Sequence, residues 1–233
     1  MPVYDICGLK VYMDPKHETL KKQSEKYLCA QTQDDYDLKI SLSDEYIKEK
    51  QAQYPHLNDD MVEYIFYGSL FYEKILERDM FFLHSSAIAY ENNAYLFSAP
   101  SGTGKSTHTS IWLKNFKGAF IINDDKPAIA LENGEFFVYG TPFSGKTDTS
   151  ENVKVPLKAI CLLERGEENE IEKCPAAKAV LPILNQTVRP PDKMASLMDL
   201  IKKLLEKCQV YNLKCNMEDA AAVLAYNEMR KDF

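Results

Sequence analysis

The sequence predicts an α/β protein: a phosphate-loop core with a mixed, hairpin-rich sheet, preceded by a small α+β N-terminal region. Three observations carry this expectation. From about residue 80 onward, short apolar runs alternate with turn residues. One of those runs feeds a glycine loop, where residues 94–110 read AYLFSAPSGTGKSTHTS. Ahead of it, residues 58–79 carry an apolar helical period. The expected division is therefore 1–79 for the small N-terminal region and 80–233 for the catalytic core with a helical C-terminal part.

Taken in order, PVYDIC and LKVYM flank Gly8 as a short hairpin, and YDLKISL (36–42) alternates as a strand. In the helix over 58–79, Asn58 or Asp59 stands where a cap is needed, and Val62, Ile65, Phe66 and Leu70 fall on one face. FFLHSSAIAY and AYLFS flank Glu91-Asn92-Asn93 and predict two antiparallel strands. A helix should begin within the glycine loop and run through Ile111-Trp112-Leu113. AFIIN (119–123) reads as a strand, AIAL and FFVYG as a hairpin around ENGE, and PLKAICLL (156–163) as a buried strand. The remainder reads as mostly helical: a short helix at PAAKAVLPILNQ interrupted by Pro182, and a well-patterned one over 192–207. The strand VYNL follows, then a last helix from about Met217 with Asn216 as its cap.

Composition narrows the function classes. A formal charge of −7 with no basic cluster argues against a nucleic-acid partner. No apolar run of about 18 residues exists, so no membrane association is expected. The N-terminus lacks a secretory pattern, and the six cysteines (Cys7, Cys29, Cys161, Cys174, Cys208, Cys215) are scattered without a CxxC. Reduced thiols and a cytoplasmic location are the expectation, with zinc or disulfides as the alternative.

Residues 99–106, APSGTGKS, fit the pattern GxxxxGK[ST] with Ala99 in place of the first glycine. Gly102 and Gly104 let the backbone turn so that N–H groups converge on phosphate oxygens, and the following helix N-terminus adds its positive end. Ser101, Gly102, Thr103, Gly104, Lys105, Ser106 and Thr107 are thus the candidate nucleotide-binding residues. Lys105 is suited to reach β- and γ-phosphates, and the Ser106 hydroxyl to ligate Mg²⁺. Asp124 and Asp125 end the strand AFIIN, where a second metal contact is expected. One would hold the metal and the other would take a proton from an acceptor hydroxyl; read alone, the pair favours a solvated turn, and beside the glycine loop it favours the site. His84, at the end of MFFLH, is either a site-facing histidine or a packed one, and His108 reads as structural. Lys146, in GTPFSGK, either neutralises phosphate charge or belongs to a surface loop; Arg189 is a weaker candidate of the same kind.

The order His84, glycine loop, Asp124-Asp125, then a β-hairpin resembles the catalytic domain of HPr kinase/phosphorylase and the related nucleotide core of ATP-dependent phosphoenolpyruvate carboxykinase. The matching stretches are FLHSSAIA, SGTGKS and IINDD, within roughly residues 80–165. GTPFSGK, VPLKAICLLERG and VYNLKCNMEDAAAVLAY are similar to compact bacterial HPr-kinase-like proteins, some linked to modified-peptide clusters. The resemblance implies ATP and Mg²⁺ as ligands, held by Lys105 and Ser106, with Asp124 on the metal, Asp125 as base and His84 as an active-site histidine. It also implies an option of homo-oligomers. The first 79 residues do not resemble the usual HPr kinase N-terminal domain, and recognisable oxaloacetate-site arginines are absent.

The leading expectation is an ATP- and Mg²⁺-dependent kinase acting on an unidentified hydroxyl-bearing peptide, protein or small-molecule acceptor, with Asp125, His84, Lys105 and Lys146 as its catalytic residues. The alternative is a nucleotide-binding regulatory or accessory module without efficient turnover. A phosphoenolpyruvate-type lyase is a third reading.

Overall fold

The computed structural model describes residues 2–29 and 35–231. At the N-terminus β1 (Val3–Ile6) and β2 (Leu9–Tyr12) pair antiparallel as expected. The third strand is shorter than its alternation suggests: only β3 (Leu38–Lys39) pairs, parallel to β2. The run is cut because Ser43 turns out to be a helix cap, its hydroxyl accepting from Tyr46 N–H at 3.2 Å. Two helices are not visible as apolar periods. One is α1 (Glu18–Ser24), and the other is α2 (Asp44–Gln53), which buries no residue.

Helix α3 (Asp59–Ile75) starts on the expected cap, with Asn58 Oδ1 accepting from Met61 N–H at 2.8 Å. Its buried face differs from the expected one. Val62, Tyr67, Phe71, Tyr72 and Ile75 are inside, whereas Ile65 is 42% exposed. Glu63 is also buried, and it accepts from the N–H groups of Lys16 and His17, at 2.7 and 2.9 Å, tying the start of α1 to α3. Beyond a short turn, β4 (Met80–Phe82) joins the larger sheet through β8, so this region shares a core with Ala128, Tyr139 and Phe143.

Among the described residues the larger sheet has nine strands. In chain order after β4 they are β5 (Ser85–Tyr90), β6 (Asn93–Ser98), β7 (Phe120–Asn123), β8 (Ala128–Glu132), β9 (Glu135–Tyr139), β10 (Lys154–Arg165), β11 (Glu170–Cys174) and β12 (Gln209–Cys215). The path runs β4-β8-β9-β10-β6-β5-β7, with β12 pairing both β10 and β11. Strand β10 pairs antiparallel with β9 over its first three residues and then parallel with β6 and β12. The result is a mixed α/β architecture. The part beyond β10 is mostly helical as expected, but strand β11 was not foreseen; its sequence EIEKC is charged, and only Cys174 is buried.

Helices cover both faces of the parallel part of the sheet. On one side lie α4 (Lys105–Asn115) and α7 (Asp219–Met229), packed on Tyr95, Phe97 and Tyr211. On the other lie α5 (Ala176–Asn185), which continues through Pro182, and α6 (Met194–Lys207), packed on Leu96, Ile160 and Val210. Neighbouring residues of β6 therefore serve opposite cores, as a strand buried on both faces must. Helix α7 is not capped by Asn216. Its cap position is Glu218, and Asn216 instead joins Asn169 and accepts from Glu218 N–H at 3.0 Å. All six cysteines are free thiols, and among the described residues no helix is long and apolar enough to cross a membrane.

Candidate active site

The parallel strands β6, β10 and β12 end on one side, the usual location for ligands in sheets of this kind. Residues 99–104 connect β6 to α4 there. Gly102 and Gly104 have φ of +79° and +122°, conformations that a side chain disfavours. Gly104 occupies the cap position of α4 and offers no capping side chain, so the first-turn N–H groups are available to a ligand. Lys105 Nζ reaches back across the loop and donates to Ala99 O at 2.8 Å. Burial pulls its ammonium below the ordinary value, and the charges of Asp125 and Asp124 oppose that pull.

The two aspartates leave β7 in different directions. Asp124 accepts from Ser106 Oγ at 3.1 Å, which joins it to the first turn of α4. Asp125 turns to His84, whose Nε2 lies 3.2 Å from its Oδ1, and to the adjacent Lys126 ammonium. The split is built by Asn123, a fully buried side chain. Its Oδ1 accepts from the N–H groups of Asp125 and Lys126, at 3.0 and 2.7 Å, while its amide donates to Thr141 O at 2.9 Å. Burial alone would raise the Asp125 carboxyl, but the His84 hydrogen bond and the Lys126 charge outweigh it and hold the group below the ordinary carboxylate value.

His84 is fixed from behind. Its Nδ1 lies 2.8 Å from Gln186 Oε1, its N–H donates to Gln186 O at 2.7 Å, and its carbonyl accepts from Ser98 Oγ at 2.9 Å. Gln186 Oε1 on Nδ1 and the Asp125 carboxylate on Nε2 thus flank the ring and fix its orientation. His108, read as structural, is buried within α4 and accepts from Trp112 Nε1 at 3.1 Å.

One cavity of about 830 Å³ gathers most of these groups. Ser101 through Thr107 line it, together with His84, Asp124, Asp125 and Lys146. Arg189 does not; it bonds Asn185. The sequence reading missed Arg165, which also lines the cavity. At the last residue of β10, its guanidinium donates to Thr103 O at 3.1 Å and to Gly102 O, bracing the glycine loop from the neighbouring strand. A basic residue just past a buried strand was the available signal. Gln23 and Tyr64 were missed as well. Gln23 Nε2 donates to Gly145 O and Tyr64 Oη accepts from Gly145 N–H, each at 2.8 Å, so α1 and α3 hold the turn that carries Lys146. No sequence signal marks those contacts, which span 122 and 81 residues.

His108 makes a testable contribution to stability. Burial depresses its pKa to about 4, against an unfolded value near 6.5. The neutral ring is therefore favoured in the folded state, and its stabilisation is present above about pH 6.5 and is lost as pH falls toward about 4. The loss should reach roughly 2–3 kcal/mol by that point. In His108→Gln, which keeps an acceptor for Trp112, urea melts from pH 7 to pH 4 should show a smaller decline than in the wild type. Equal declines would refute the assignment.

No family model and no curated protein matches the chain. Among solved structures, the HPr(Ser) kinase/phosphatase from Coxiella burnetii is similar over 61% of this chain and 90% of that chain, at 10% identity and a TM-score of 0.36. That is a distant structural relationship, and the chemistry of the site has to be read from its own residues.

Proposed function

We propose that the protein is an ATP- and Mg²⁺-dependent kinase that transfers the γ-phosphoryl group to a hydroxyl on a peptide, a protein or a small molecule. One observation carries the reading: a carboxylate braced by a histidine, Asp125, faces the same cavity as a glycine loop that ends in Lys105 and a helix N-terminus. The loop and the α4 N-terminus would cradle the phosphates, with Lys105 moving from Ala99 O to phosphate oxygens. Ser106 Oγ and Asp124 Oδ1, 3.1 Å apart, are hard oxygen donors, and Mg²⁺ characteristically takes one or two such protein ligands beside phosphate and water. Bound there, the metal would neutralise charge on the transferred group.

The remaining chemistry belongs to the chain. Asp125 would accept the hydroxyl proton as the acceptor oxygen bonds to the γ-phosphorus and the β,γ-bridging oxygen leaves with ADP. His84 would hold the carboxylate in place, and Lys146, exposed at the cavity edge, would stabilise charge on the moving phosphoryl group.

Thermal melting with Mg²⁺ and ATP, ADP or GTP tests the reading. At about 100 times its dissociation constant, a ligand adds about 2.7 kcal/mol of stability. Wild type should shift clearly and Lys105→Ala should not. Absence of a shift with every nucleotide would end the kinase reading. A shift with no labelled acceptor, across peptide, protein and small-molecule pools, would favour a nucleotide-binding accessory module.

A further inference from the structure

A second cavity of about 860 Å³ is also lined by Asp125. Its walls come from α1 and α3, and it meets the first cavity at Asp125, Gly145 and Lys146, which line both. The partition is thin there: a Cβ on Gly145 would lie 3.0 Å from Asp125 Cβ and 3.2 Å from its Oδ2. A group in the second cavity can therefore meet the Asp125 carboxylate where the two cavities join. The volume falls within the range of about 300–1,000 Å³ typical of ligand sites.

The lining indicates what kind of molecule fits. Met61 and Ile65 stand one helical turn apart on α3, are 48% and 42% exposed, and both face this cavity. Several of the polar side chains around them are already engaged within the protein. Asp60 accepts from Thr19 N–H at 2.9 Å, Lys22 pairs with Asp148 at 3.0 Å, and Gln23 and Tyr64 are committed to Gly145. A polyhydroxylated metabolite needs several convergent polar groups to orient it, and four of those lining this cavity are spoken for. An apolar side chain needs only the Met61–Ile65 surface. Four carboxylates (Glu18, Asp60, Asp125, Asp148) against two ammonium groups (Lys22, Lys146) disfavour acidic ligands.

We infer that this cavity is the acceptor site of the proposed kinase, and that it takes a peptide segment in which an apolar residue flanks the hydroxyl-bearing one. The apolar side chain rests on Met61 and Ile65, and the hydroxyl reaches the Asp125 carboxylate. On transfer, the hydroxyl oxygen bonds to the γ-phosphorus, its proton passes to Asp125, and ADP carries away the bridging oxygen. This rests on the kinase reading above. The N-terminal region thereby sets acceptor choice while the glycine loop handles the nucleotide.

The test uses the full chain, a positional-scanning library of Ser- and Thr-containing peptides, and γ-labelled ATP with Mg²⁺. Free serine and glycerol serve as small-molecule arms. Wild type should label peptides with Leu, Ile or Phe beside the hydroxyl residue at least about tenfold better than those with Asp or Gly there, the scale of discrimination an apolar pocket gives. Met61→Ser/Ile65→Ser should lose that preference, and both positions are exposed enough for the fold to be kept. Its ATP-dependent melting shift should equal that of wild type, which separates acceptor recognition from nucleotide binding. A shift with no peptide labelled, with only serine or glycerol labelled, or with an unchanged preference in the double variant would overturn the proposal. No shift in wild type would overturn the kinase reading and this proposal with it.

Discussion

Asp125→Asn should lower phosphotransfer by about 10²- to 10⁴-fold, the contribution of a positioned general base, with nucleotide-induced melting shifts retained. The amide fits the same space and keeps a group facing His84, which lies 3.2 Å from the native carboxylate. It cannot take a proton. Single-turnover transfer alongside ATP melting shifts separates the two effects, and full transfer by the variant would remove Asp125 from the base role. The depressed pKa of Asp125 has a mechanistic consequence. In the proposed role, a carboxylate held below its ordinary pKa would be a weak base early in the reaction, which would suit a loose phosphoryl transition state where the acceptor hydroxyl becomes acidic late. Lys126 is one of the groups holding the pKa down. Lys126→Met should therefore raise it, so that the acid limb of the kcat/KM profile moves to higher pH.

Gly140→Ala should be the most damaging single methyl addition for stability. A Cβ there would lie 1.8 Å from Glu151 O and 2.8 Å from Ile122 O. Both are backbone atoms, so no side chain can swing away. Overpacking of this kind costs about 3 kcal/mol or more, and a loss of about 3 kcal/mol lowers Tm by roughly 6–12 °C in a chain of this size. Activity should fall too, because Ile122 precedes the Asn123 that orients both aspartates. A variant with unchanged Tm would mean that the segment around Glu151 yields easily.

What could be read from the sequence was local. The glycine loop, its strand and its helix lie within about twenty consecutive residues, and each needs only near neighbours to form. Asp124 and Asp125 were legible for the same reason, as strand-end acids. What escaped depends on distant pairing. Arg165 braces loop residues 62 and 63 positions away, and Gln23 acts on a turn 122 positions later. Periodicity also failed where it was absent or excessive. Helix α2 is polar enough to bury nothing, while α3 is apolar on so much of its surface that the period could not select the inward face. Ile65 falls on the expected face for that reason, yet it is 42% exposed.

Strand β10 changes partner along its length, with a register shift between Leu157 and Ala159. It is the seam between the antiparallel run β4-β8-β9 and a mixed half in which β6, β10 and β12 run parallel. Neither half owns it, so neither can be excised with a complete set of backbone pairings. A gene fragment ending anywhere between the two would leave a raw sheet edge, open to pairing with another chain. Any fragment that keeps β10 fully paired therefore includes both the hairpin β8–β9 and the strands that carry the candidate site.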